Sequence, residues 1–285
     1  MLLTRQTTNK IKFKPWNDGP APRHTFEDEF EGDETKPSPV PEIKIDLKEH
    51  GSIDYLIVAP KNISVIVDSL PQRKAIGSIR ISYPELKVQT TTQESTEDDY
   101  DEDEQLYNAI HESNSSSMYS ELEIPINVYG GSIAGIVVPH FTNAITYNIL
   151  SRRIIEAFDS MVKKDWITLS PCSINNNQSL NKLNISTGNS LLEMIPNLKP
   201  PHFITGIGAS IISELNNLGT SSFIPLVLNS EGQPGFEKVS NDAIVDSGYV
   251  LSEILIKDHY KDDYLKKISS SVRKFNSYSN SGMYL

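Results

Sequence analysis

Eight of the eleven residues from Glu94 to Glu104 are acidic, and Ser113–Ser117 that follows is almost all serine. A segment of this kind repels itself and carries too little apolar surface to repay the entropy of folding. The fold therefore has to be assembled from the chain on either side of it. Residues 88–120 are predicted to loop out of the core as a disordered acidic insertion. Ser95 and Thr96 precede acids and are candidate phosphorylation sites.

The segment before the core, 1–48, is broken by Pro15, Pro20, Pro22, Pro37, Pro39 and Pro41. Proline removes backbone donors and fixes φ, so an extended arm is expected here. Its aromatics Phe13 and Trp16 are candidates for pinning the arm or for meeting a partner. The α/β domain is predicted over 49–272. Apolar, β-branched runs predict strands at Ile53–Ala59, Ile63–Val67 and Ile76–Ile81. Leu122–Val128 and Ile133–Val138 flank Gly130-Gly131, which reads as a hairpin.

Helical spacing follows. Ile145, Ile149, Ile154, Phe158 and Met161 predict a helix capped at Thr142 or Asn143. Trp166–Leu169 is a predicted strand. Ile204, Ile207, Ile211, Leu215 and Leu218 advance by three or four residues, the spacing of one buried helix face, and Gly219 supplies a stop. Phe223–Leu228 is a predicted strand whose Pro225 favours an edge or a bulge. Ser240 and Asp242 are caps for a helix with Ile244, Leu251 and Leu255 on one face. A last, charged helix is expected over Asp258–Ser271, and 273–285 is expected to be a flexible tail. Strands first, then helices alternating with strands, predict a single mixed-sheet α/β domain with covering helices. The pattern leaves strand order open.

Bulk properties restrict function. A chain of 285 residues with 38% hydrophobic content supports one sizeable core, and its 22% charge fits a partly unfolded chain. A net charge of −11 argues against nucleic acid and anionic membrane as partners. The single cysteine, Cys172, rules out an internal disulfide framework and a cysteine-built zinc site. Met1–Lys14 holds no apolar signal run, and no stretch reaches the ~20 apolar residues of a membrane span, so a cytosolic or nuclear location is expected.

Motifs for catalysis are thin. Cys172 after a strand has no identifiable charged partner that would activate a thiolate. His140 and His202 combine with Asp159 or Asp246 into a triad only on paper, since no G-x-S-x-G elbow accompanies them. Thr205-Gly206-Ile207-Gly208-Ala209-Ser210 faintly resembles a phosphate turn but lacks its third glycine and its Lys. Close helix packing explains those glycines better. No catalytic, cofactor or metal residue is assigned. The loop Ser230–Lys238 holds Glu231, Phe236, Glu237 and Lys238. It reads either as a tight βα turn with Phe236 folded inward or as a contact loop at a partner surface.

Four separated segments resemble one family. Phe13-Lys14-Pro15-Trp16-Asn17-Asp18-Gly19-Pro20-Ala21-Pro22-Arg23-His24 is similar to the N-terminal arm of fungal proteasome assembly chaperone 1. Pro200-Pro201-His202-Phe203-Ile204-Thr205-Gly206 resembles that family's entry to a core helix. Ser230-Glu231-Gly232 with Gly235-Phe236-Glu237-Lys238 resembles its loop. Met283-Tyr284-Leu285 resembles the hydrophobic-tyrosine-any-residue tail by which regulators dock on the proteasome. The resemblance implies a heterodimer with a homologous second chaperone, seated on the outer face of the 20S α-ring. The Leu285 carboxylate would pair with a lysine between α subunits, Tyr284 would fill a groove and Met283 would cover it. It further implies that α-ring assembly is promoted, that activators are kept off the immature particle, and that no catalysis occurs. The competing expectations are a hydrolase- or phosphorylase-like α/β enzyme and a proteasome activator that opens the gate.

Overall fold

The computed structural model describes residues 40–48, 51–84, 121–174, 178–183, 190–219, 223–233 and 236–281, with side chains of 190 and 275–281 left aside. All fall in the compact unit Pro39–Leu285. The aromatics Phe13 and Trp16, the acidic insertion and the terminal Met283, Tyr284 and Leu285 lie outside the described residues.

Strand β2 (Ile53–Pro60) organises the sheet. Leu56, Ile57, Val58 and Ala59 are all fully buried. Side chains alternate across a strand, so Leu56 and Val58 enter one core while Ile57 and Ala59 enter the other. Such a doubly buried strand needs partners on both sides and helices on both faces. It pairs in parallel with β5 (Ile133–Val138) on one side and with β6 (Val162–Cys172) on the other. β8 (Phe223–Glu231) adds in parallel to β6. An antiparallel flank completes one side with β4 (Glu121–Tyr129), β3 (Lys74–Ser82) and β1 (Glu42–Leu47). The short β7 (Leu180–Lys182) and β9 (Lys238–Val239) pair antiparallel with β8. Among the described residues the order is β1-β3-β4-β5-β2-β6-β8-β7.

Two helices cover one face, α2 (Ala144–Phe158) and α4 (Gly206–Asn217). Their Leu150, Ile154, Phe158, Ile207, Ile211 and Leu215 pack on Leu56, Val58 and Ile136. Asn143 caps α2 by accepting from the Ile145 amide at 3.0 Å. Arg152 Nε meets Glu214 Oε1 at 2.9 Å between the helices. The opposite face carries α1 (Ser64–Asp68), α5 (Asn241–Leu255) and α6 (Asp258–Ser281). Ser240 Oγ caps α5 by accepting from the Ala243 amide at 3.1 Å. Buried Tyr264 of α6 donates to the Ile66 carbonyl at 3.1 Å and ties α6 to α1. A short α3 (Ser190–Glu193) precedes the cis Pro200-Pro201 bond.

Several expectations change. Ile63–Val67 forms not a strand but a 3-10 turn running into α1, because it follows the end of β2 and its Ile66 and Val67 reach the core from one side of a helical turn. Residues 42–47 of the arm are edge strand β1, whose Ile43, Ile45 and Leu47 pack beside the α2 core while Glu42, Lys44 and Asp46 face outward. The last helix does not stop at Ser271 but continues to Ser281. Pro225 sits in a strand flanked on both sides, not at an edge. Its carbonyl accepts from Leu183 just past the end of β7, so its missing donor falls where that neighbour has run out.

β3 and β4 pair with Ser82 opposite Glu121, so both ends of the acidic insertion leave the sheet at one point. Replacing 85–118 with a short glycine-containing turn should leave the fold intact. A shorter closing loop should raise unfolding free energy by up to ~2 kcal/mol, read from chemical denaturation. Gly208 lets α4 touch β6, since a Cβ there would stand 1.9 Å from Ser170 Oγ. Gly208→Ala should therefore cost about 1–3 kcal/mol in the same assay, partly recovered by adding Ser170→Ala.

Candidate functional site

The chain leaving β2 passes to the α1 face, whereas the chain leaving the adjacent β5 passes into α2 on the opposite face. Neighbouring parallel strands whose successors part in this way open a crevice beyond their carboxyl ends. A cleft of about 530 Å³ lies there. Its walls come from Pro60–Asn62 after β2, His140–Thr142 after β5, the first turn of α4, and Phe236-Glu237.

Local bonds fix these walls. Tyr147 on α2 accepts from the Phe141 amide at 2.8 Å, and its hydroxyl lies 3.2 Å from His140 Nδ1. Burial pushes the Tyr147 phenol above its ordinary value, so it stays a neutral hydrogen-bonding group. Asn62 Nδ2 donates to the Glu237 carbonyl at 3.0 Å, which ties the loop after β8 to the end of β2. Within that loop Glu231 and Lys238 are paired backbone partners, and Gly232 takes φ of +109°, a region that side chains avoid. The Phe236 ring is 77% exposed and stands 5.1 Å from the His140 ring. Phe236 is therefore not folded onto the core, as the tight-turn reading would have it.

The paper triad does not come together. Asp246 accepts from Ser179 Oγ. Asp159 caps the far end of the 15-residue α2, ~22 Å from the end beside His140. His202 lines a smaller adjoining cleft of about 210 Å³ with Cys172 and the 68% exposed Phe203. Cys172 Sγ donates to the Phe203 carbonyl at 3.1 Å, and burial raises its thiol above the ordinary range. It behaves as a buried structural thiol. No cluster of three metal-ligating side chains occurs among the described residues, and no helix among them is long and apolar enough to cross a membrane. Sequence reasoning singled out His140, Phe236 and Glu237 separately but missed Asn62 and Tyr147. Their role depends on which strand ends are neighbours, a relation that only strand order supplies.

The model of the POC1 chaperone family matches residues 11–285. The chain belongs to the POC1 chaperone family. Proteasome chaperone 1 of Saccharomyces cerevisiae is 26% identical over 242 residues, covering 80% of this chain and 83% of that one. Among solved structures, Pyrococcus furiosus PbaA, an archaeal homolog of proteasome-assembly chaperone, is 14% identical. That comparison covers 87% of this chain and 100% of PbaA, with a TM-score of 0.48. A Mycobacterium tuberculosis proteasome-assembly chaperone homologue is 10% identical, with coverage of 78% and 94% and a TM-score of 0.44. The POC1 family match includes the loop around Phe236 and runs through the last residue.

Native Cys172 should alkylate at least about tenfold more slowly than the denatured chain at roughly pH 8.5, followed by mass spectrometry. Its folded pKa is raised, so the folded state holds this proton longer than the unfolded one. Its contribution to stability is present below the ordinary thiol range and declines as pH rises through it.

Proposed function

We propose that this protein is a non-enzymatic chaperone of 20S proteasome assembly that docks on the outer face of the α-ring through its C-terminal residues. The family match over residues 11–285, closing on Met283-Tyr284-Leu285, carries this reading. Leu285 supplies the carboxylate, Tyr284 the ring that fills a groove between α subunits, and Met283 its cover. Capture of a terminal carboxylate is a recurring recognition mode.

The body is suited to present such a tail. Val272 is the last core residue of α6 among the described side chains, and the helical backbone continues to Ser281. Nine further helical residues (273–281) carry the backbone ~13 Å beyond Val272. One short tail binds weakly because it loses chain entropy on ordering. A heterodimer with a second, related chaperone presents two tails at high effective concentration, which raises avidity by roughly 10²–10⁴. Occupied pockets guide α-ring assembly and exclude activators until the particle matures. The loop residues Glu231, Phe236, Glu237 and Lys238 and the arm residues Phe13 and Trp16 are candidate contacts for the partner chaperone or the ring. The chaperone acts in the cytoplasm and nucleus, where the core particle is built.

Tyr284→Ala, or one residue appended after Leu285, should reduce co-purification of immature α-ring particles at least about tenfold while leaving the unfolding midpoint unchanged. Undiminished capture would reject the anchor. Faster peptide hydrolysis by mature core particle on adding the protein would mark a gate-opening activator instead.

A further inference from the structure

We propose that the end of the sheet carrying the two clefts is the face turned toward the α-ring. Its exposed phenylalanines, Phe236 and Phe203, grip apolar side chains of an α subunit as a second contact beside the tail. This rests on the terminal anchor proposed above and adds the surface of the body that works with it.

The direction of α6 carries the inference. α5 starts at the cleft end, where the Ser240 amide donates to the Asn229 carbonyl of β8 at 2.9 Å. Its buried residues follow the sheet as far as Leu251, so it finishes toward the opposite end. α6 begins there. Gln72 Nε2 donates to the Tyr260 hydroxyl at 2.9 Å, and Gln72 stands just before β3, whose first residue pairs with Val128 beside the Gly130-Gly131 hairpin. Tyr264 then meets Ile66 of α1. Ile268 meets Gly248, midway along α5, where a Cβ would stand 2.5 Å from its Cδ1. α6 thus runs antiparallel to α5 and releases the chain at the cleft end.

Chain length decides which end can face the ring. Residues 282–285 extend at most ~14 Å beyond the helix. The eight-residue β2 alone is ~26 Å long. A tail this short, leaving α6 in that direction, cannot bring a ring pocket to the hairpin end of the body. The second chaperone need not lie at the cleft end, whereas the ring that holds the tail must.

The same end carries exposed apolar surface. Phe236 is 77% exposed and Phe203 68%. They line adjoining clefts of about 530 and 210 Å³ that share Pro171, Thr205 and Glu237 as walls. Ile145, in the first turn of α2, is a third exposed apolar side chain here. Exposed aromatics grouped beside a recess mark a protein-binding surface. The Tyr147 bond to the Phe141 amide and the Asn62 bond to the Glu237 carbonyl already hold the recess in shape, so little order is lost on docking. An α subunit that seats the tail meets the phenylalanines at the same time, and the two contacts reinforce each other.

A photoreactive benzoylphenylalanine placed at Phe236 or at Leu218 tests this in the full chain. Leu218 is 62% exposed at the far end of α4 and serves as the control. On illumination with immature α-ring particles bound, position 236 should cross-link to an α subunit and position 218 should not, with the linked chain identified by mass spectrometry. Phe203→Ser combined with Phe236→Ser should weaken capture of those particles about tenfold, and Leu218→Ser should leave it unchanged, each without moving the unfolding midpoint. Tyr284→Ala keeps the two readings apart. If it spares capture, the terminal anchor fails and this inference fails with it. If it abolishes capture while the paired phenylalanine variant binds normally, only the body contact fails. The proposal is also overturned by cross-linking of position 236 to the second chaperone alone or to nothing, or by equal cross-linking of α subunits from position 218.

Discussion

Complete burial of β2 on both faces is the constraint from which the architecture follows. Its four central residues feed two cores in alternation, so the strand must be flanked by partners and covered by helices above and below. Burial of Leu56, Ile57 and Val58 is worth about 1.5–3 kcal/mol each. A shift of register by one residue would exchange the two faces at once. The same strand ends where its successor and that of β5 part company, which opens the cleft. Core and cleft are two results of one placement.

Much of this was legible beforehand. The helix over Ile204–Leu218 was readable because five apolar residues keep strict three-four spacing, and the structure shortens it only to Gly206–Asn217. Ser240 as a cap was readable because side-chain capping is local chemistry. Ile63–Val67 misled because a short apolar run has no period long enough to separate strand from helix, and a turn after β2 decided it. Pro225 misled in a different way. The sheet could accommodate it wherever a neighbouring strand stops, and that is a tertiary fact. The cleft was the least legible part. Its residues come from five separated stretches and acquire meaning only when β2, β5, β6, the first turn of α4 and the loop after β8 are placed side by side.

The chemistry of the cleft also explains why enzyme motifs were absent from the sequence while a crevice exists. A crevice at strand ends is a property of the α/β architecture and requires no catalyst. Here its polar groups are occupied with shape. Tyr147 holds the loop after β5, and Asn62 holds the loop after β8. Of the two acids a triad would require, Asp246 accepts from Ser179 and Asp159 stands at the far end of α2.

The border strand β1 has a further effect on how the molecule meets others of its kind. It alternates Glu42, Lys44 and Asp46, all exposed, with the half-buried Ile43, Ile45 and Leu47. Charged side chains along a border strand oppose its pairing with a foreign strand. That margin of the sheet thus discourages indiscriminate zippering.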